Sequence, residues 1–340
     1  LKGGAAAALY GTRGANGVIL ITTKKGSLNS GFKVNFNSSM EITQVNKLPA
    51  YQTDYAQGWG GAYYAPSTGW FGSWGPRISD LGFDASGEIT DDPAAMVAGS
   101  KGTVPSFNNP ENFFQNGLRV NNSLSFTGGN DRSSFYFSLS DLRDQGVVPL
   151  NNFSRTSARL SASSNVTDNL KVGGSLAFTT SGGRRIQQGS NLSGLMLGLM
   201  RTPASFDNSN GATDPEDESA YINPDGSQRN YRGSGGYDNP YWTINRNPFE
   251  DNVNRVFGYV NFQYLPYEWL TLNYKVGVDN YSDRRKQIIS IGSRTVPAGR
   301  IMEDVYNYTE FNHDLTARMN KKWGKLDGSL LLGFNANQRN

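Results

Sequence analysis

Cysteine is absent from the 340-residue chain, and histidine occurs once, at His313. A disulfide framework and thiolate metal sites are therefore excluded, and neither a histidine-based metal site nor a Ser-His catalytic pair can be assembled. No run of about eighteen apolar residues occurs, which excludes a membrane protein built of helices. The net charge of +3 is spread along the chain without a basic block, so nucleic-acid binding is not expected.

The chain is polar on average but rich in strand-forming residues. Apolar residues make up 36% of the sequence, and the mean hydropathy is -0.54. A transmembrane β-barrel also has a low mean hydropathy, because only alternate residues face lipid. The 40 glycines, 17 tyrosines and 18 phenylalanines favour strands and turns over helices. A soluble β protein and a membrane barrel both remain possible at this point.

The first 26 residues differ in pattern from the rest. Gly11 to Gly17 is glycine-rich, and Val18 to Thr23 is an apolar, β-branched run. Such a run is typical of a strand buried on both faces, which belongs to a packed globular unit. The sequence therefore predicts one unit over residues 1–26 and a second over residues 27–340. The glycine-rich stretch precedes a strand rather than a helix, which excludes a phosphate-binding loop.

From Phe32 onward, apolar and polar residues alternate. Phe32, Val34 and Phe36 share one face of an extended segment, and the residues between them share the other. The pattern recurs and predicts nine strands, over residues 32–42, 120–127, 134–140, 155–162, 170–179, 256–264, 270–278, 311–319 and 326–334. The segments around 251–265 and 268–283 exceed the usual globular strand of roughly 5–6 residues, which suits a wall that crosses a hydrocarbon core.

The connections between these strands alternate in length. Short ones lie at 128–132, 167–169, 266–268 and 323–325, and the others at 45–118, 144–152, 185–250 and 286–300. In a membrane barrel, tight turns lie on the periplasmic side and large loops lie outside. The fold predicted is all-β: an antiparallel transmembrane β-barrel with long extracellular loops at 45–118 and 185–250. Because bacterial barrels have even strand counts, we expect the functional chain to continue past Asn340.

Two stretches resemble a known family. Ala5 to Gly26, AAAALYGTRGANGVILITTKKG, resembles the end of the plug domain in SusC-like (SusC/RagA-type) TonB-dependent transporters. The matching motif consists of Leu9, Tyr10, Gly11, Arg13, Asn16 and Gly17, whereas Thr12 and Gly14 replace the commoner Ser and Ala. Ser125 to Val148 resembles the first hairpin region of that family's barrel, and Arg155 to Leu160 its next strand.

The resemblance implies a fragment: the C-terminal end of a plug, then about nine strands of a barrel of about 22. It further implies the outer membrane of a Gram-negative, Bacteroidetes-type bacterium, outer-membrane lipid around the barrel, and energy supplied through the TonB complex. The implied partner is a SusD-like surface lipoprotein, and the implied substrate is an oligosaccharide or sometimes a peptide. No cofactor and no enzymatic activity are expected. Alternatives are an importer of metal chelates or vitamins, or a non-transporting surface receptor or adhesin.

Aromatic residues in the long loops are the candidate contact residues. The first loop carries Trp59, Tyr63, Tyr64, Trp70, Phe71 and Trp74, and the 185–250 loop carries a weaker group at Tyr237, Tyr241 and Trp242. Flat aromatic faces can stack on sugar rings and contribute large contact area. Packing within the loop, or docking of a lipoprotein, explains the first group equally well.

Charged residues give two further interpretations. Strand parity places Arg155, Arg159, Lys171, Lys275 and Asp279 on the inner face, where they would keep the lumen wet and contact the plug. The acidic run at Asp214, Glu216, Asp217 and Glu218 could hold calcium, but its spacing matches no calcium loop. A solvated loop is the favoured interpretation, and no metal site is expected.

Overall fold

The structure, a computed structural model, describes residues 16–19, 23–187, 194–233, 235–324 and 326–340. In these ranges nine long strands form one antiparallel sheet, each paired with the next in chain order. They are β1 (Lys33–Thr43), β2 (Gly117–Gly129), β3 (Ser133–Gln145), β4 (Asn152–Asn165), β5 (Leu170–Arg185), β6 (Phe249–Tyr267), β7 (Leu270–Ile289), β8 (Arg300–Trp323) and β9 (Leu326–Arg339). No helix among the described residues is long and apolar enough to cross a membrane.

The predicted set of nine strands is confirmed, but several strands are longer than predicted. β8 has 24 residues and begins at Arg300, whereas the sequence pattern predicts a strand only from residue 311. Ile301 and Val305, in its first half, are 66% and 54% exposed. Because neither face of this part is covered by the protein, no strict alternation marks it in the sequence.

The strand register places apolar residues in a continuous row on one face. The row runs through Val34, Phe126, Phe137, Leu160, Leu176, Gly258, Val278 and Phe311 on eight successive strands. Leu160 and Leu176 are 49% and 55% exposed, although both are large and apolar. A wide, exposed apolar face of this kind is typical of a barrel wall that contacts lipid.

The next register row lies on the opposite face and is largely polar. It runs through Asn35, Ser125, Ser138, Arg159, Ala177, Phe257, Asp279 and Glu310. A shift of one residue would exchange the two faces, so the opposed polarity of the rows fixes the register.

The long connections fold into a compact unit. We call residues 44–116, 194–233 and 235–248 the loop cap. It contains three short helices, α1 (Asn109–Phe113), α2 (Leu195–Arg201) and α3 (Pro240–Arg246). Its main core consists of Phe113, Leu195, Leu199, Ala220, Tyr221, Tyr241, Trp242 and Ile244, to which Val148 is added from the connection after β3. Burial of these side chains supplies the energy that orders such long connections.

The first 26 residues are only partly described. Leu9, Tyr10, Gly11 and Arg13 of the plug motif lie outside the described residues, whereas Asn16 and Gly17 lie within them. The strand predicted from Val18 to Thr23 is not present at Val18, Ile19 or Thr23. Ile19 is 89% exposed, so the expected burial on both faces is wrong at this position. No described part of the chain covers it, and a buried strand needs cover on each side.

Candidate functional site

The segment before β1 lies against the polar inner face of the wall. The guanidinium of Arg159 donates from Nη2 to Thr23 Oγ1 at 2.9 Å. A Cβ on Gly26 would lie 2.5 Å from the backbone N and O of Phe135, so only glycine allows this close approach. Arg159 therefore makes the inward contact that strand parity predicts.

A cavity of ≈ 590 Å³ separates this segment from the wall. Its lining is mainly polar: Lys25, Gly26, Ser27, Leu28, Ser134, Ser161, Ala162, Ser163, Lys171, Gly173, Gly174, Tyr259, Asn261, Gln263 and Asn273. The hydroxyl of Ser161, one of these residues, donates a 2.8 Å hydrogen bond to Ser175 Oγ on the neighbouring strand. Such a surface can hold water and can exchange hydrogen bonds with a neighbouring segment.

Ion pairs lie on the inner face of the wall, near the ends of the strands that lead into the long loops. Arg255 Nε donates to Asp279 Oδ1 at 2.8 Å, and Arg339 pairs with Glu310 at 3.5 Å. Lys275 lies over the ring of Tyr259, with its Nζ 4.6 Å from the ring centroid. These charges are compensated by partners on the inner face, which fits a wetted surface rather than a dry core.

The aromatic residues of the first loop include a three-ring stack and three exposed rings, those of Trp59, Phe71 and Trp74. Tyr64 stacks on Trp70, with ring centroids 5.2 Å apart, and Trp70 stacks on Phe71 at 5.2 Å. Trp59 and Trp74 are 61% and 55% exposed. Trp59 is presented by a short hairpin whose turn residues Gly60 and Gly61 have φ values of 59° and 83°. Hairpin turns with two positive φ values favour glycine at both positions.

Tyr63 differs from the other residues of that group, because its hydroxyl is shielded. Burial, together with the nearby carboxylates of Glu88 and Asp91, raises the pKa of Tyr63 to about 12. Its backbone N–H donates to Asp91 Oδ2 at 2.8 Å. Tyr63 thus stays neutral and anchors the hairpin that presents Trp59.

Tyr241 and Trp242 are packing residues of the loop cap in this structure. They are 6% and 5% exposed and lie at the start of α3. Tyr241 meets Phe113 edge-on at 5.2 Å, and Trp242 meets Tyr221 edge-on at 6.2 Å. Their position inside the core leaves no surface for a substrate, whereas the six first-loop residues keep their predicted role as contact candidates.

Two arginines next to the aromatic group are functional candidates that sequence reasoning missed. The guanidinium carbon of Arg201 lies 5.6 Å from the ring centroid of Phe71, and that of Arg232 lies 5.4 Å from it. Both also contact the ring of Tyr237, at 5.2 and 5.3 Å. These residues are far apart in the sequence, so no local pattern brings them together.

The acidic run is engaged in local hydrogen bonds. Asp217 caps a short 3-10 helix by accepting from Ser219 N at 2.9 Å, and this backbone contact lowers its pKa. Glu218 pairs with Arg246 at 2.8 Å. Within the described ranges, no group of three or more His, Asp or Glu side chains could hold a metal ion. His313 lies on the apolar face, where its Nδ1 is 2.8 Å from the hydroxyl of Tyr274.

The buried hydroxyl of Tyr231 predicts a pH dependence. Tyr231 is 2% exposed, its Oη has no hydrogen-bond partner in the described residues, and burial raises its pKa to about 12. In the unfolded chain the tyrosine hydroxyl has a pKa of about 10. The neutral, buried Tyr231 therefore contributes its full stability below that pH, and this stability is lost as the pH rises toward 12. Tyr231→Phe should therefore weaken the alkaline unfolding of the loop cap in this window.

Tyr231→Phe should also stabilise the loop cap at neutral pH by about 1 kcal/mol, because it removes an unpaired buried hydroxyl. Near-ultraviolet circular dichroism during alkaline titration measures the first effect, and limited proteolysis at neutral pH measures the second. Tyr51→Phe is the control, since Tyr51 is 40% exposed. Equal behaviour of the two variants would contradict the prediction.

The sequence of the chain is similar to those of several known proteins. No protein-family model matches the chain. The TonB-dependent receptor SusC of Bacteroides thetaiotaomicron is 26% identical over 250 residues, which are 73% of this chain and 21% of SusC. TonB-dependent receptor P39 of Formosa agariphila is 30% identical over 191 residues, 54% of this chain and 15% of P39. The chain thus spans about a fifth, or less, of the length of these relatives.

The fold of the chain is similar to that of solved structures. The RagAB peptide importer in its open-open state matches with a TM-score of 0.67 and 20% identity, over 100% of this chain and 39% of that chain. Its closed-closed state matches with a TM-score of 0.65 over 97% and 38% of the two chains. At this identity the likeness shows the fold alone: the nine-stranded sheet corresponds to part of the RagAB fold.

Proposed function

The chain is SusC-like, as its sequence predicts, and we propose that it takes part in TonB-dependent import of a nutrient. The nutrient proposed is an oligosaccharide, taken across the outer membrane of a Gram-negative, Bacteroidetes-type bacterium. A SusD-like surface lipoprotein is the proposed partner, because the chain is similar in sequence to SusC and in fold to RagAB. These curated relatives are receptors rather than enzymes, and no catalytic role is proposed.

The observation that carries this proposal is the two-sided wall. Its apolar face, with Leu160 and Leu176 exposed, suits lipid, and its polar face carries the contact between Arg159 and Thr23. A hydrogen bond of this kind can be exchanged for one to water at small energetic cost, as import through a plugged barrel requires. We therefore propose residues 1–26 as the end of a plug and residues 27–340 as part of the barrel.

The exposed aromatic group supports an oligosaccharide as the substrate. Trp59, Phe71 and Trp74, all in the first long loop, present flat apolar surface at 61%, 46% and 55% exposure. Aromatic side chains lose little rotamer freedom on binding and offer broad faces for sugar rings. Docking of the lipoprotein would use the same surface, and both uses belong to one import function.

A peptide is the second candidate substrate. The solved structures that share the fold are those of a peptide importer. An importer of metal chelates or vitamins and a non-transporting receptor or adhesin remain separable by experiment. A chelate importer would take up labelled chelate in preference to sugar, and an adhesin would bind its ligand without needing the proton gradient.

Uptake by cells tests the proposal. In cells that carry the complete natural protein and its neighbouring lipoprotein, labelled oligosaccharide should accumulate, and a protonophore should abolish the accumulation. The double variant Trp59→Ala and Trp74→Ala should lower uptake by about tenfold, since each stacked ring contributes about 0.5–1.5 kcal/mol.

Val97→Ala is the matched control, because Val97 is 49% exposed in the same loop but lies outside the aromatic group. Accumulation that survives the protonophore would overturn energised import. Accumulation of peptides in place of oligosaccharides would overturn the proposed substrate while leaving import in place.

A further inference from the structure

Two arginines of the loop cap share one pair of aromatic rings. Arg201 and Arg232 each lie within 5.6 Å of the ring centroid of Phe71 and within 5.3 Å of that of Tyr237. Arg201 also donates a hydrogen bond from Nη1 to the Tyr237 hydroxyl. The two guanidinium groups are therefore neighbours, held by ring faces rather than by carboxylates.

This pair has no counter-charge in the part of the chain that the structure describes. Neither Arg201 nor Arg232 forms an ion pair there, whereas Arg246 of the same loop pairs with Glu218 at 2.8 Å. The Nε atom of Arg232 is buried and makes no hydrogen bond to a described residue. Two neighbouring cations repel each other, and their contacts with the two aromatic rings bring no negative charge to compensate them. An anion placed between them would remove the repulsion.

The surroundings of the pair are suited to a sugar rather than to an ion alone. A cavity of ≈ 230 Å³ lies beside Arg201 and Phe71, which contacts both arginines, and its lining also includes Gln52, Asn108 and Thr202. Phe71 continues into the stack formed with Trp70 and Tyr64. Amide and hydroxyl groups beside aromatic surface match the mixture of hydroxyls and apolar C–H faces that a sugar ring offers.

We propose that Arg201 and Arg232 bind the anionic substituent of a charged oligosaccharide, a carboxylate or a sulfate ester, whose sugar ring lies in the adjoining cavity. This inference rests on the proposed import of an oligosaccharide and specifies its chemical class. The planar guanidinium fork matches two oxygens of a carboxylate or sulfate at once, and binding is stronger where water is partly excluded.

Binding measurements on the complete natural protein, purified in detergent, test the proposal. Titration calorimetry would compare four probes: a tetragalacturonate, a sulfated tetrasaccharide, a neutral cellotetraose and a tetra-aspartate peptide. Arg201→Gln and Arg232→Gln should each weaken binding of the two charged sugars at least tenfold and leave cellotetraose binding unchanged. Arg201→Lys and Arg232→Lys keep the charge but lose the fork, so each should weaken binding less than the Gln variant does.

Arg77→Gln is the matched control, because Arg77 belongs to the same loop cap but lies over a single ring, that of Tyr55 at 5.7 Å. It should leave binding of every probe unchanged. The loss at Arg201 and Arg232 should shrink as salt is added, since added ions screen the contact. A comparison of the affinities for the two charged sugars indicates whether the carboxylate or the sulfate is bound more tightly.

Several outcomes would overturn the proposal. One is that the Gln variants bind the charged sugars as tightly as the wild type does. Another is that they lose binding of cellotetraose to the same extent, which would show that the two arginines have only a structural role. Preferential binding of tetra-aspartate would move the site to peptides. If cells import neutral but not charged oligosaccharides, this inference fails while the import function stands. If no oligosaccharide accumulates through the proton gradient, the import function itself fails.

Discussion

Val260→Arg should prevent most of the protein from assembling in the outer membrane. Val260 lies on β6 between Gly174 and Val276, on the face that carries the apolar row, and it is 42% exposed. An arginine on the lipid face of a barrel costs about 2–4 kcal/mol near the bilayer midplane. Val260 is separated from the aromatic residues at the turn, Tyr267 and Trp269, by several residues of strand, which places it toward that midplane.

The same substitution on the other face provides the control. Asn273, on the adjacent strand β7, lines the polar cavity, so Asn273→Arg places its charge in water. Heat-modifiable migration of the outer-membrane fraction measures assembly of the complete protein. Wild-type levels for Asn273→Arg and a loss of most of the signal for Val260→Arg are expected. If Val260→Arg assembles normally, the exposed apolar face is not in lipid, since an exposed valine in water tolerates arginine well.

The wall could be predicted from sequence because lipid and water impose opposite demands on adjacent residues. Residues such as Leu176 and Ser175 alternate for that reason, and tight turns such as 167–169 fix which strands pair. The ends of the strands could not be predicted in the same way. Beyond the lipid both faces of β8 are wet, and the alternation that marks residues 311–319 fades toward Arg300.

The loop cap was harder to predict, although local signals for its helices exist. Asn239 accepts a hydrogen bond from Tyr241 N at 2.8 Å, and Pro240 occupies the first turn of α3. An Asn-Pro pair of this kind is a helix start signal. The core that the helix joins cannot be seen locally, because Phe113 and Trp242 come from different connections. The contact of Arg201 and Arg232 with Phe71 depends on the same tertiary packing.

Asp238→Ala should unfold part of the loop cap without unfolding the wall. Asp238 is 7% exposed and accepts four hydrogen bonds. The donors are Gln228 Nε2 at 2.9 Å, Arg294 N at 2.6 Å, Asn247 Nδ2 at 3.1 Å and Ser293 Oγ at 2.6 Å. They come from the 185–250 loop and from the connection after β7, so one carboxylate joins two connections that are distant in sequence.

Removal of this carboxylate leaves buried donors without an acceptor. Hydrogen bonds to a charged group contribute about 1.5–3 kcal/mol each, and an unpaired buried donor costs about 1–3 kcal/mol. A partial collapse of the site would recover some of this lost free energy, so we expect a net loss of about 3 kcal/mol in the local stability of the loop cap. That loss corresponds to about a hundredfold drop in amide protection at residues 228–233, 235–239 and 293–295.

Hydrogen exchange measured by mass spectrometry on the complete protein detects this drop in protection. Two further variants serve as comparisons. Asp225→Ala removes an exposed carboxylate that bonds only to Ser227, so protection should stay near the wild-type value. Asp238→Asn keeps the shape but replaces one acceptor oxygen with a donor, which should give an intermediate loss. Because the wall strands are held by their own ladders, their protection should not change in any variant. Loss of protection along β6 and β7 as well would show that the loop cap and the wall unfold as one unit, contrary to this expectation.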